Sequence, residues 1–182
     1  EVSIAYHEGV PGHHFQIATT KYLAEQLSRF QRLMAGTSGY VEGWALYAER
    51  LADENGWYEG DHHGRLGYLN SMLFRARRLV VDTGLHHKHW TRQQAIDYFK
   101  ANAAKTELDI INEIDRYIAW PGQALAYKIG ELKIQKLRRQ GERELGSRFD
   151  LREFHDVVLR NSAVPLEILD EIVSAWIAGK KI

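Results

Sequence analysis

Prolines are scarce in this chain. They stand only at 11, 121 and 165, so long stretches lack the residue that a helix interior does not tolerate. Between them, apolar residues recur every three or four positions. No stretch alternates with the period of two that a half-buried strand requires. The pattern predicts an all-α fold, a multi-helix bundle of about eight helices. The length suits a single helical domain over residues 1–182, large enough for a sizeable core.

The expected elements follow in order. Phe15, Ile17, Ala18, Tyr22, Leu23 and Leu27 form an apolar stripe at helical spacing. Gly36-Thr37-Ser38-Gly39 breaks the pattern before a helix from about Tyr40 to Asn55, which Gly56 ends. Gly60-Asp61-His62-His63-Gly64 reads as a polar loop. A helix from about Arg65 to Asp82 follows, with Leu66, Leu69, Leu73, Leu79 and Val80 turned inside. Gly84 to Trp90 reads as a second His-rich connection. Thr91-Arg92-Gln93-Gln94 reads as a capping box for a helix to about Ala103, and Thr106 opens one that reaches Tyr117. After Pro121-Gly122, a helix is expected from Gln123 to about Gln140. Asp150 with Glu153 caps a short one, and Pro165 suits the first turn of the last.

Composition excludes several classes. Lys+Arg and Asp+Glu balance at 24 each, which argues against a nucleic-acid partner or an anionic membrane surface. Without cysteine there are no disulfides and no thiolate metal sites. Any metal must be held by His and carboxylate, a donor set that suits zinc, manganese or iron better than copper(I). No apolar run approaches the roughly 20 residues of a membrane span. The sequence lacks an initiating Met and starts almost on its most informative motif. It is expected to be a fragment whose upstream part carries any targeting segment and completes the functional cleft.

That motif is Tyr6-His7-Glu8-Gly9-Val10-Pro11-Gly12-His13-His14-Phe15-Gln16. A His-Glu pair followed by further histidines is similar to the His-Glu-x-x-His helix of zinc hydrolases, where two imidazoles one turn apart bind one zinc and the Glu acts as general base. Here the fourth position after His7 is Pro11. On an ideal helix His14 would lie about 20° from His7 but about 10.5 Å along the axis, and His13 about 9 Å along and about 120° away. Neither matches a one-turn ligand pair. Pro11 removes an N–H and clashes with the preceding turn, and Gly12 tolerates unusual backbone angles. A helix kinked or bulged at Pro11-Gly12 would return His13 or His14 to the metal. The plain alternative is a helix end followed by two surface histidines.

A catalytic zinc needs three protein ligands and an open position. The best third ligand is Glu42, in Gly39-Tyr40-Val41-Glu42-Gly43-Trp44-Ala45-Leu46-Tyr47-Ala48-Glu49, near the start of the next long helix. A short connection makes such helices antiparallel neighbours. Glu49, two turns on along the same face, could orient a ligand histidine; a surface pairing with an Arg is the preferred reading. Arg78 and Asp82, at i and i+4, suit an ion pair.

Four ordered blocks resemble the bacterial family called domain of unknown function 885. They are His-Glu-x-x-Pro-Gly-His-His-x-Gln, Glu-Gly-Trp-Ala-Leu-Tyr-Ala-Glu, Arg78 through His86, and Arg116-Tyr117 through Tyr127. The resemblance implies the helical C-terminal part of a gluzincin-like zinc metallopeptidase acting on peptides. It implies one Zn2+, His7 as first ligand, Glu42 as third and Glu8 as general base. Gly12-His13 is similar to the Gly-His that ends the motif of angiotensin-converting-enzyme-like peptidases, which favours His13 as second ligand with His14 close behind. Related peptidases aim a Tyr or His from a later helix at the oxyanion; Tyr127 is the first candidate, then Tyr117 and His86.

His62, His63, His87 and His89 read as solvated, and His155 as structural. Two other readings compete. One is a non-catalytic helical binding or interaction domain with a structural or vestigial metal site. The other is a carboxylate-bridged di-iron protein, for which only Glu59-Gly60-Asp61-His62 has the required Glu-x-x-His spacing.

Overall fold

A computed structural model describes residues 2–33 and 36–181. Its helices are α1 Val2–Glu8, α2 His13–Tyr22, α3 Arg29–Leu33, α4 Ser38–Glu54, α5 His62–His86, α6 Arg92–Asn102, α7 Glu107–Ala119, α8 Gln123–Leu145, α9 Leu151–Leu159 and α10 Leu166–Lys180. Short 3-10 turns lie at Ala24–Gln26 and Gly146–Arg148. Among the described residues there is no strand, only an isolated bridge between Gly36 and Ala163. The all-α expectation holds. No described helix is long and apolar enough to cross a membrane.

The centre of the bundle is the α4–α8 pair. A Cβ added at Gly43 would lie 2.5 Å from the backbone of Gly130, and one added at Gly130 would lie 1.8 Å from the Gly39 carbonyl oxygen. Glycine at both positions therefore lets the two backbones touch. Around this seam pack Tyr40, Trp44, Tyr47, Ile134 and Leu137, joined by Phe154, Val158, Leu169, Val173 and Ile177 of α9 and α10. A second apolar cluster joins α5, α6 and α7 through Phe74, Val81, Ile96, Phe99, Ile110 and Ile114.

Helix starts follow their capping chemistry. The Thr91–Gln94 capping box is present, Thr106 caps α7, and Asp150 accepts from the Arg152 and Glu153 N–H groups at the head of α9. Asp61 accepts from Gly64 N at 2.8 Å. His62 and His63 thus belong to the first turn of α5 rather than to a loop. At its other end α5 runs on to His86, past the expected stop at Asp82.

Much of the two expected apolar stripes faces outward, although Leu27 is buried. Phe15, Ile17 and Tyr22 are exposed, as are Leu66, Leu69, Leu73 and Val80. The inward face of α5 carries Tyr68, Phe74, Arg75, Arg78, Val81 and Asp82 instead. Its arginines turn inward because carboxylates and a tyrosine hydroxyl wait there, as described next.

Candidate metal centre

The motif helix does not kink; it ends. α1 stops at Glu8, residues 9–12 form a bend with a cis Val10–Pro11 peptide, and α2 starts at His13. Pro11 cannot donate to the previous turn, and the residue before it is held out of the helical region. The bend folds back tightly: a Cβ at Gly12 would lie 1.9 Å from the His7 carbonyl oxygen. Trp44 of α4 pins it, donating from Nε1 to the Pro11 carbonyl at 2.9 Å.

This bend brings His13 beside His7, their rings edge to face with centres 4.7 Å apart. His14 points into solvent and is exposed. Glu42 reaches in from α4, its Oε2 lying 3.6 Å from His7 Nε2 and 3.4 Å from His13 Nε2. One donor atom from each of these three side chains lies within 4.8 Å of the others. Glu42 Oε2 is buried and has no hydrogen-bond partner among the described residues, despite two imidazoles so near.

Glu49 corrects the surface reading. Fully buried, it accepts from His7 Nδ1 at 2.8 Å and from Ser71 Oγ at 3.2 Å, and it pairs with Arg75 at 3.3 Å. A carboxylate only accepts, so His7 Nδ1 carries the proton. In the neutral ring, Nε2 is then left with a lone pair towards Glu42 and His13. Burial alone would lower the His7 pKa, but Glu42 and Glu49 outweigh it and raise it. Burial would likewise raise the Glu42 carboxyl, yet His13, His7 and the Tyr127 hydroxyl hold it down at about 2.

Tyr127 of α8 stacks on His7 with ring centres 6.2 Å apart. Gln123 Nε2 donates to the Tyr127 hydroxyl at 3.3 Å and to Glu42 Oε1 at 3.4 Å, while its own Oε1 accepts from Arg116 at 2.6 Å. The head of α8 is fixed by Gly122, whose positive φ of 81° presents its N–H to Asp82 Oδ2 at 3.1 Å. Asp82 therefore does not pair with Arg78, as its i, i+4 spacing suggests. Arg78 instead donates to the Tyr117 hydroxyl at 2.8 Å and to Glu113 at 3.0 Å.

The remaining candidates separate. Tyr117 is buried, and its hydroxyl donates to Glu113 at 2.5 Å. His86 bonds the Tyr117 carbonyl at 2.9 Å. Among the described residues neither makes a hydrogen bond or ion pair to His7, His13 or Glu42. Glu8 is exposed next to His7, and its carboxylate makes no hydrogen bond or ion pair among the described residues. Glu59 and His62 form no pair there, whereas His155 is held by Tyr47. Gln123, Arg75 and Ser71 were not singled out by sequence. Gln123 carried one usable signal, its place directly after the Pro121-Gly122 break.

The donor set can be checked against a tetrahedral ion. Ligands at about 2.0–2.1 Å from zinc lie roughly 3.3 Å from each other, close to the separations of Glu42 Oε2 from the two imidazole nitrogens. Two imidazoles and a carboxylate, with one oxygen left unpaired, fit such an ion.

Comparison with known proteins agrees on the fold. A crystal structure of a candidate lipoprotein from Colwellia psychrerythraea is 54% identical, with a TM-score of 0.94 over 98% of this chain. A candidate lipoprotein of unknown function from Shewanella oneidensis is 26% identical, with a TM-score of 0.85 over 94% of this chain. The chain spans only 30% and 31% of those two structures. No curated protein matches it. The profile of the bacterial proteins of unknown function called DUF885 matches residues 1–173, and the chain belongs to that family.

Proposed function

We propose that the protein is a zinc-dependent peptidase with His7, His13 and Glu42 as metal ligands. The observation that carries this reading is the convergence of three donor atoms from α1, α2 and α4, with Glu42 Oε2 buried and unpartnered. Zinc held there would supply a Lewis acid that polarises a peptide carbonyl and acidifies water. Glu49 fixes the tautomer and direction of His7, the service that a carboxylate behind a ligand histidine performs. Glu8, adjacent in sequence and open to solvent, takes the proton from the attacking water and returns it to the leaving amine. Tyr127 offers a hydroxyl beside Glu42 to the developing oxyanion, and Gln123 positions that hydroxyl.

The test combines metal analysis with peptide hydrolysis by the full-length protein. One zinc per chain, with turnover lost in Glu8→Gln while zinc is retained, is the expected result. Hydrolysis unaffected by Glu8→Gln would contradict the mechanism.

A further inference from the structure

A cleft of about 470 Å³ opens between α1, α5 and α7. Two contacts join it to the candidate centre. Ser71, on its wall, donates to the Glu49 carboxylate that holds His7. Arg78, also on its wall, lies 4.4 Å from the centre of the Tyr127 ring, which stacks on His7.

Two buried guanidiniums form the base of the wall. Arg75 and Arg78 are only 8% and 7% exposed, and one nitrogen of each, Nε of Arg75 and Nη1 of Arg78, is shielded from solvent and has no acceptor among the described residues. Their other contacts go to Glu49 and Ser71, and to Tyr117 and Glu113. Buried N–H groups left unpaired are costly and therefore rare. Lys105 stands exposed over Phe74 at the rim. Asp109 and Glu113 are the acidic groups on the wall, but Glu113 is already shared among Arg78, Arg116 and Tyr117. Burial lowers the Arg75 pKa, the Glu49 charge opposes this, and the Arg78 charge adds to the lowering. An anion held in the cleft against both guanidiniums would offset the repulsion between them. Planar guanidiniums favour a carboxylate, which they can grip through paired N–H groups. Asn70 and Asn112 add amides suited to a peptide main chain, and Ile4 and Phe74 supply apolar wall.

We propose that this cleft binds the C-terminal carboxylate of a peptide, so that hydrolysis at the neighbouring centre removes residues from the C-terminal end. The mode of cleavage rests on the peptidase reading; the binding does not.

The test is calorimetric titration of the full-length protein carrying Glu8→Gln, which prevents turnover. Three probes are used: N-acetyl-trialanine as the free acid, the same peptide as its C-terminal amide, and N-acetyl-alanyl-glutamyl-alanine amide. The free acid is expected to bind about tenfold more tightly than either amide. That preference should vanish in Arg78→Gln and shrink in Lys105→Gln, whose exposed side chain puts no folding at risk. Equal affinity for acid and amide, a preference kept by both variants, or a glutamyl amide that matches the acid would overturn the assignment. The two proposals fail separately. Acid-selective binding with no hydrolysis of any peptide by wild type contradicts only the peptidase reading. Hydrolysis without acid preference contradicts only the subsite.

Discussion

Glu49 accepts the Nδ1 proton of His7 at 2.8 Å while itself fully buried, on the same helix as Glu42. One α4 face thus serves both imidazole nitrogens, Glu49 behind His7 and Glu42 in front. Glu49→Gln keeps the shape but removes the charge that fixes the His7 tautomer. Zinc affinity, measured by chelator competition, should fall by about 10–100-fold. Unchanged affinity would show that Glu49 serves only Arg75 and Ser71.

Trp44 is the tie between the long helix and the bend that delivers His13. Trp44→Phe retains most of the apolar packing but leaves the Pro11 carbonyl without its 2.9 Å donor. The expected cost is about 1–3 kcal/mol in urea denaturation. Zinc affinity should weaken as well, because His13 starts the helix directly after that bend.

The α4–α8 seam gives a purely structural prediction. Gly130→Ala would drive a methyl group into the Gly39 carbonyl, 1.8 Å away, and should cost about 1–3 kcal/mol or more. Gly67→Ala, where nothing lies within 4 Å, removes a flexible residue from the interior of α5. It should stabilise by about 0.5–1 kcal/mol. Denaturation midpoints of the two variants should move in opposite directions.

His155 supplies a pH dependence. Its Nε2 accepts from the Tyr47 hydroxyl at 2.9 Å, and that hydroxyl accepts in turn from Arg138 at 3.2 Å. Burial, reinforced by the Arg138 charge, lowers the His155 pKa from 6.5 to about 4. Between those values the unfolded chain binds the proton and the folded one does not. Stability is therefore lost as pH falls from about 6.5 to about 4, by up to about 3 kcal/mol. His155→Gln should flatten that part of the profile, read from urea denaturation at pH 7 and pH 5.

Helical periodicity, capping residues and proline positions were enough to read the all-α class and most helix starts. The inward face of α5 was not legible. Periodicity marks a face without saying which way it turns, and here buried Arg75 and Arg78 claim the inside while Leu66, Leu69 and Leu73 face out. His7, His13 and Glu42 could be picked out because their residue types and order limit what they can do together. Glu49 was misjudged because an isolated helix Glu is usually solvated, and only the fold shows that His7 and Arg75 meet it. The bend at Pro11 was legible as a fault in the helix. Its outcome, two separate helices, depends on Trp44, which lies 33 positions away in the sequence.

The most direct measurement is anomalous scattering at the zinc edge from crystals of the zinc-loaded full-length protein. One peak is expected, bonded by His7 Nε2, His13 Nε2 and a Glu42 carboxylate oxygen, with a further position open to solvent. A peak elsewhere, a ligand set that includes His14 in place of His13, or four protein ligands closing the ion off would contradict the assignment.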